Sequence, residues 1–90
     1  MNNYGIQLNH IYQHYKGNLY IPIAIATNSE TLTPMVVYYN AIDTAEIWVR
    51  PIDGDDNYGE RGWNDLVIID NEAVPRFRHL ELDYQNIDKQ

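Results

Sequence analysis

Cysteine is absent from the 90-residue chain, and serine and phenylalanine each occur once. Without thiols there is neither a disulfide framework nor a thiolate metal site, so aliphatic and aromatic packing must hold the fold. A chain of this kind suits a reducing compartment. Nucleophilic catalysis has only Ser29 to use, with His14 as a candidate base, and Ser29 stands among the turn formers Asn28, Glu30 and Thr31. Long apolar runs are also missing, and nothing approaches the roughly 18 residues that a membrane-spanning helix needs. Met1 to Tyr4 lacks the basic-then-apolar order of a secretory leader. The expectation is a cytoplasmic protein with no membrane partner.

Positive charge is scarce. Six Lys and Arg stand against thirteen Asp and Glu, for a formal charge of −7, which disfavours the phosphate backbone of duplex nucleic acid. No phosphate-cradling glycine loop, complete metal set, internal repeat or helix of useful length is legible, and no cofactor is implied. His10 and His14 would chelate a metal from a helix, but on a strand they lie roughly 13 Å apart. Asp53, Asp55 and Asn57 imitate the start of a calcium loop, yet Tyr58 stands where that loop needs glycine and Asn64 where it needs glutamate.

What the chain does have is tyrosine, eight in all, with two tryptophans. A single domain of this length withdraws only roughly 60–65% of its unfolded surface from water, so its core is thin. The densest stretch runs from Tyr12 to Tyr20, where three tyrosines, His14 and Lys16 surround Gly17-Asn18. It reads as strand, tight turn and strand. Leu19, Ile21, Ile23 and Ile25 alternate as a core-facing set, with Pro22 marking an edge or a bulge. Residues 27–34 form a loop, 35–42 a central strand and 46–50 a strand that carries Trp48 and Arg50 on one face and ends at Pro51. Residues 53–64 form a long exposed loop. The segments 66–70 and 73–82 form a last hairpin turning at Asp70-Asn71-Glu72, with Arg76 and Arg78 on a shared face. Residues 1–7 and 84–90 read as an arm and a tail around one domain spanning 1–90.

Tyr12-x-His14-Tyr15-Lys16-Gly17-Asn18-x-Tyr20, followed by Ala26, Ser29-Glu30-Thr31, Val36-Val37-Tyr38, Trp48-Val49-Arg50-Pro51 and Val74-Pro75-Arg76-Phe77, resembles the uncharacterised bacterial and phage family numbered 1653 among the domains of unknown function. The resemblance spans about residues 10 to 80. It implies an all-β, SH3-like barrel or roll of five to six antiparallel strands and no established activity. Two departures stand out. The stretch between Pro51 and Trp63 is longer than the family pattern, with Trp63 taking the aromatic place, and Tyr39-Asn40 lacks the basic residue expected after Val-Val-Tyr.

The strongest constellation joins His14, Lys16, Tyr20, Tyr38, Trp48, Arg50 and Arg76, with Ser29 and Glu30 from the family motif beside it. Rings stack on planar groups, and Arg and Lys donate charge-assisted hydrogen bonds to phosphate or carboxylate. These residues suit a small anionic, planar ligand such as a nucleotide or nucleotide-derived signal, held without catalysis. Two alternatives stay open. The same side chains would tie barrel rims together, with Glu30 accepting from Lys16 or an arginine, or the aromatic face and a sheet edge would serve a protein partner. A homodimer through sheet edges is compatible with each.

Overall fold

Gly17 adopts a φ of 112°, a conformation open to glycine at little cost, and the chain reverses there between β1 (Tyr12–His14) and β2 (Leu19–Thr27). The Gly17 N–H donates to the His14 carbonyl and the His14 N–H to the Asn18 carbonyl. The computed structural model describes residues 3–55, 57 and 59–80. The expected tail at 84–90 and the end of the last strand at 81–82 lie outside them. The remaining strands are β3 (Pro34–Asn40), β4 (Ile47–Pro51), β5 (Leu66–Ile69), β6 (Glu72–Pro75) and β7 (Phe77–His79).

Among the described residues the fold is all-β and antiparallel, but it has seven strands in two sheets and is not a closed barrel. One sheet runs in the order β4-β3-β2-β1-β7 and the other is the β5-β6 hairpin. The added strand comes from a break at Arg76 in the segment read as one strand. The Arg76 N–H donates to the Asp65 carbonyl, and its own carbonyl accepts from the Tyr15 N–H. Chain direction therefore switches there from the β5 partner to the β1 partner. Arg76 and Arg78 consequently do not share a strand face. Asp70 and Asn71, with φ of 50° and 68°, form the tight turn of the β5-β6 hairpin, where Ile69 faces Glu72, as a two-residue loop between twisted strands requires.

Pro22 reverses a second expectation. The β2-β3 register slips between Pro22 and Ala24, so the residues before and after the bulge present opposite parities to the core. Pro22 is fully buried and Tyr20 packs on the core before the slip, while Ile25 packs on it afterwards. Four isoleucines and leucines on one face therefore do not form the core side of β2. The bulge sits where proline, lacking a ladder donor, is tolerated, and the Pro22 carbonyl accepts from the Asn9 N–H.

The core consists of Ile6, Tyr12, Val36, Tyr38, Ile52, Trp63 and Phe77. Two of these lie where exposure was expected. Ile6, in the arm, is buried, and the adjacent Gln7 N–H donates to the Tyr12 hydroxyl at 2.9 Å. Trp63, at the end of the 53–64 loop, is only 2% exposed. Its neighbour Gly62 lies so close to Gly54 and the Asp53 backbone that a Cβ there would collide with main chain. Asp65 locks this approach, accepting from the Gly54 N–H at 3.1 Å and the Gly62 N–H at 2.8 Å. The two ends of the loop are thereby held together, and the Trp63 N–H donates to the Pro51 carbonyl at the end of β4, carrying the tryptophan inward.

Candidate functional site

All five strands of the larger sheet contribute to a hollow of about 180 Å³ lined by His14, Tyr20, Tyr38, Trp48, Arg50 and Phe77. Their arrangement follows from register. Tyr38 faces Trp48 across β3-β4 and Pro22 across β2-β3, while His14 faces Phe77 across β1-β7. Alternation then turns Tyr20 and Arg50, each two residues along, to the same side. Trp48 stands at the rim, 47% exposed, and Phe77 closes the floor.

Rings meet here edge to face, the arrangement their quadrupoles favour. Tyr20 and Tyr38 have centroids 5.5 Å apart at 83°, and His14 meets Phe77 at 5.0 Å and 74°. Beneath them Trp63 stacks on Phe77 at 3.8 Å with the planes 2° apart. Arg50 is the cation of the hollow. Its Nε donates to the Tyr38 hydroxyl at 2.9 Å, and its guanidinium lies 5.1 Å from the Phe77 ring centre and 5.7 Å from that of Tyr38. Nη1 donates to the Arg61 carbonyl at 3.4 Å. These partners are a phenol, a carbonyl and two rings, which hold the guanidinium among the described residues without a carboxylate to neutralise it.

His14 is kept neutral by its surroundings. The Lys16 N–H donates to His14 Nδ1 at 3.1 Å, which fixes the lone pair on Nδ1 and the proton on Nε2. Burial, and then the charges of Arg50, Arg76 and Lys16, lower its pKa from the ordinary 6.5. The folded state thus binds this proton less readily than the unfolded chain. Its contribution to stability is present above about pH 6.5 and is lost as pH falls through the lowered folded value. Thermal unfolding followed between neutral and mildly acidic pH should therefore show a falling midpoint whose slope is reduced in His14→Gln. Equal slopes in the two proteins would contradict this assignment.

The remaining candidates fall into two groups. Lys16 and Arg76 flank the hollow without lining it, and each lies over Tyr15, with charge-to-ring distances of 5.8 and 5.4 Å. Arg76 also lines a neighbouring hollow of about 420 Å³ with Arg61 and Asp65. Burial alone would raise the Asp65 pKa, but the Gly62 and Gly54 amides and then Arg76 and Arg61 outweigh it and hold the carboxyl below its ordinary value. Ser29 and Glu30, in contrast, are exposed in the β2-β3 loop. The length of β2 separates them from Tyr20 by more than about 20 Å at 3.3 Å per residue, so they do not join the hollow. The Glu30 N–H caps onto Asn28 Oδ1 at 3.0 Å, which accounts for this motif as a turn.

A family model described as a protein of unknown function, DUF1653, matches residues 10–79. The chain belongs to the DUF1653 family. A member of that family from Bordetella bronchiseptica, known from its crystal structure, is similar to it at 25% identity with a TM-score of 0.65, the match covering 88% of this chain and 92% of the other. Comparison with curated proteins gives no match. Every residue lining the hollow lies within the family span.

Sequence reasoning left out Phe77 as a lining residue, treating it as core. It is both, since a 5% exposed ring supports Arg50 from below. His10 likewise meets a partner that spacing did not reveal. Its Nδ1 lies 3.0 Å from Nε2 of His79, the two residues being brought together by the β1-β7 pairing. A wider and more apolar hollow of about 400 Å³ adjoins the first hairpin and the β5-β6 hairpin. Apart from His14 it shares none of the lining residues of the smaller hollow; its cation is Arg78, whose Nη2 donates to Gln13 Oε1 at 2.8 Å.

Proposed function

We propose that the protein is a non-enzymatic binding module for a small anionic ligand bearing a planar ring, of the nucleotide or nucleotide-derived class, built on an SH3-like roll and working in the cytoplasm. The observation that carries this reading is the meeting of Tyr20, Tyr38, Trp48, His14 and Arg50 around one hollow. A cavity of about 150 Å³ accepts benzene, so about 180 Å³ accepts one ring system and leaves charged groups outside. Lys16 and Arg76 lie close enough to His14 for their charges to lower its pKa, and would add to the positive field that those groups meet. The ring would stack against Trp48 and the tyrosines, and the anion would take the N–H groups of Arg50 that its present partners leave unused. Neutral His14 would donate from Nε2. In a phage, such a module would sequester a nucleotide signal.

A thermal-shift screen over nucleotides, dinucleotides, sugar phosphates and short oligonucleotides tests the proposal. A ligand present at about 100 times its dissociation constant adds roughly 2.7 kcal/mol, enough to raise the midpoint of a domain this small by several degrees. The expected result is a shift with one anionic, ring-bearing class and none with duplex oligonucleotides. A second reading, a protein-interaction adaptor, is favoured by the exposed Ile47, Trp48 and Val49 on an end strand. It gains if no compound shifts the midpoint and a stoichiometric protein partner is recovered by pull-down.

A further inference from the structure

We propose that two copies of the chain pair through β4, antiparallel, about a two-fold axis at Trp48. The strand ends the five-stranded sheet and exposes three consecutive large apolar side chains, Ile47 at 61%, Trp48 at 47% and Val49 at 56%. Edge strands that remain single are usually blunted by lysine, an internal proline or a bulge. Here the only proline is the terminal Pro51, there is no lysine, and the β3-β4 register runs without a slip.

Backbone direction and charge select the register. The Asn40 N–H donates to the Glu46 carbonyl at 3.1 Å, and Tyr38 faces Trp48. By antiparallel alternation Glu46, Trp48 and Arg50 bond inward to β3, and Ile47 and Val49 turn their N–H and C=O groups to the open edge. An axis at Trp48 pairs Ile47 of each copy with Val49 of the other, so outward groups meet outward groups. It also sets Glu46 opposite Arg50 of the second copy, opposite charges across a chain whose net charge is −7. Moving the axis to Ile47 or Val49 places Glu46 opposite Trp48 or Ile52 and gives up that pair. Since Trp48 lines the hollow, this pairing would bring two hollows to either side of the axis.

Sedimentation equilibrium of the full chain tests the proposal, combined with amide exchange and three single-cysteine variants of the cysteine-free protein. The expected result is a reversible dimer in which the Ile47 and Val49 amides exchange more slowly as concentration rises. Val49→Lys should be monomeric wherever the wild type dimerises, with an unchanged far-ultraviolet spectrum. On mild oxidation Trp48→Cys should cross-link, because a self-opposed, non-hydrogen-bonded pair has its Cα atoms about 4.5 Å apart, within disulfide reach. Ile47→Cys and Val49→Cys should remain uncrosslinked. A monomer at every concentration, a dimer indifferent to Val49→Lys, or preferential cross-linking at 47 or 49 would overturn the proposal. A monomer with protected Ile47 and Val49 amides would overturn it too, showing that another segment of the same chain covers the edge. A monomer leaves the ligand proposal standing, because every residue that lines the hollow belongs to one chain.

Discussion

Trp63→Ala should remove about 3–5 kcal/mol of stability, the usual loss for a fully packed tryptophan truncated to alanine. The ring is 2% exposed, stacked on Phe77, and met edge-on by Tyr12 at 5.3 Å and Tyr38 at 5.1 Å. Removing it leaves a cavity bounded by three rings that β-strands hold in place, so collapse would be incomplete. Small domains have about 5–15 kcal/mol in total, and a loss of this size lowers the thermal midpoint by more than about 12 °C. Urea unfolding followed by circular dichroism would measure it. The aromatic stack as described would be refuted by a loss under about 1 kcal/mol. Trp63→Phe should cost less than Trp63→Ala, because it keeps a ring against Phe77.

Arg50→Met should weaken the anionic ligand found by screening about 10- to 100-fold. A hydrogen bond to a charged group contributes about 1.5–3 kcal/mol, and each 1.4 kcal/mol is a factor of ten. Methionine preserves apolar contact with Phe77 and Tyr38 while removing the donors, so the fold should survive the loss of the Nε bond to the Tyr38 hydroxyl. Isothermal titration of the two proteins would separate affinity from stability. Equal affinities would assign Arg50 to the scaffold, tying β4 to β3, and would leave the hollow without its cation.

The features legible in the sequence were those carried by local chemistry and strict alternation. Gly17-Asn18 fixed the first hairpin, Asp70-Asn71 fixed the last, and a two-residue period put Trp48 with Arg50 on one side of β4. From there, His14, Tyr20, Tyr38, Trp48 and Arg50 do meet around one hollow. What escaped depends on interruptions of that period. The slip after Pro22 exchanges the faces of β2, and the break at Arg76 changes the strand's partner. Trp63 sits in a stretch rich in glycine and charge, where no periodicity distinguishes an inward side chain. Its burial follows from the close approach of Gly54 and Gly62 under Asp65, a long-range contact absent from any local pattern. Ser29 and Glu30 share a motif with the site residues but stand beyond the far end of β2, a distance that motif membership does not encode.

The central question is whether charge and rings around the hollow act together on one ligand, and indole N–H signals answer it most directly. The chain has two tryptophans, one on the rim and one beneath the floor. During titration with a purine mononucleotide and a cyclic dinucleotide, the Trp48 indole signal should move saturably with at least one of them, alongside the Arg50 side-chain signal. The Trp63 signal should move less, and Arg50→Met should weaken or abolish the response. If Trp48 and Arg50 stay still at every concentration of both probes, or if the shifts gather around the β5-β6 hairpin instead, the proposed ligand site is contradicted.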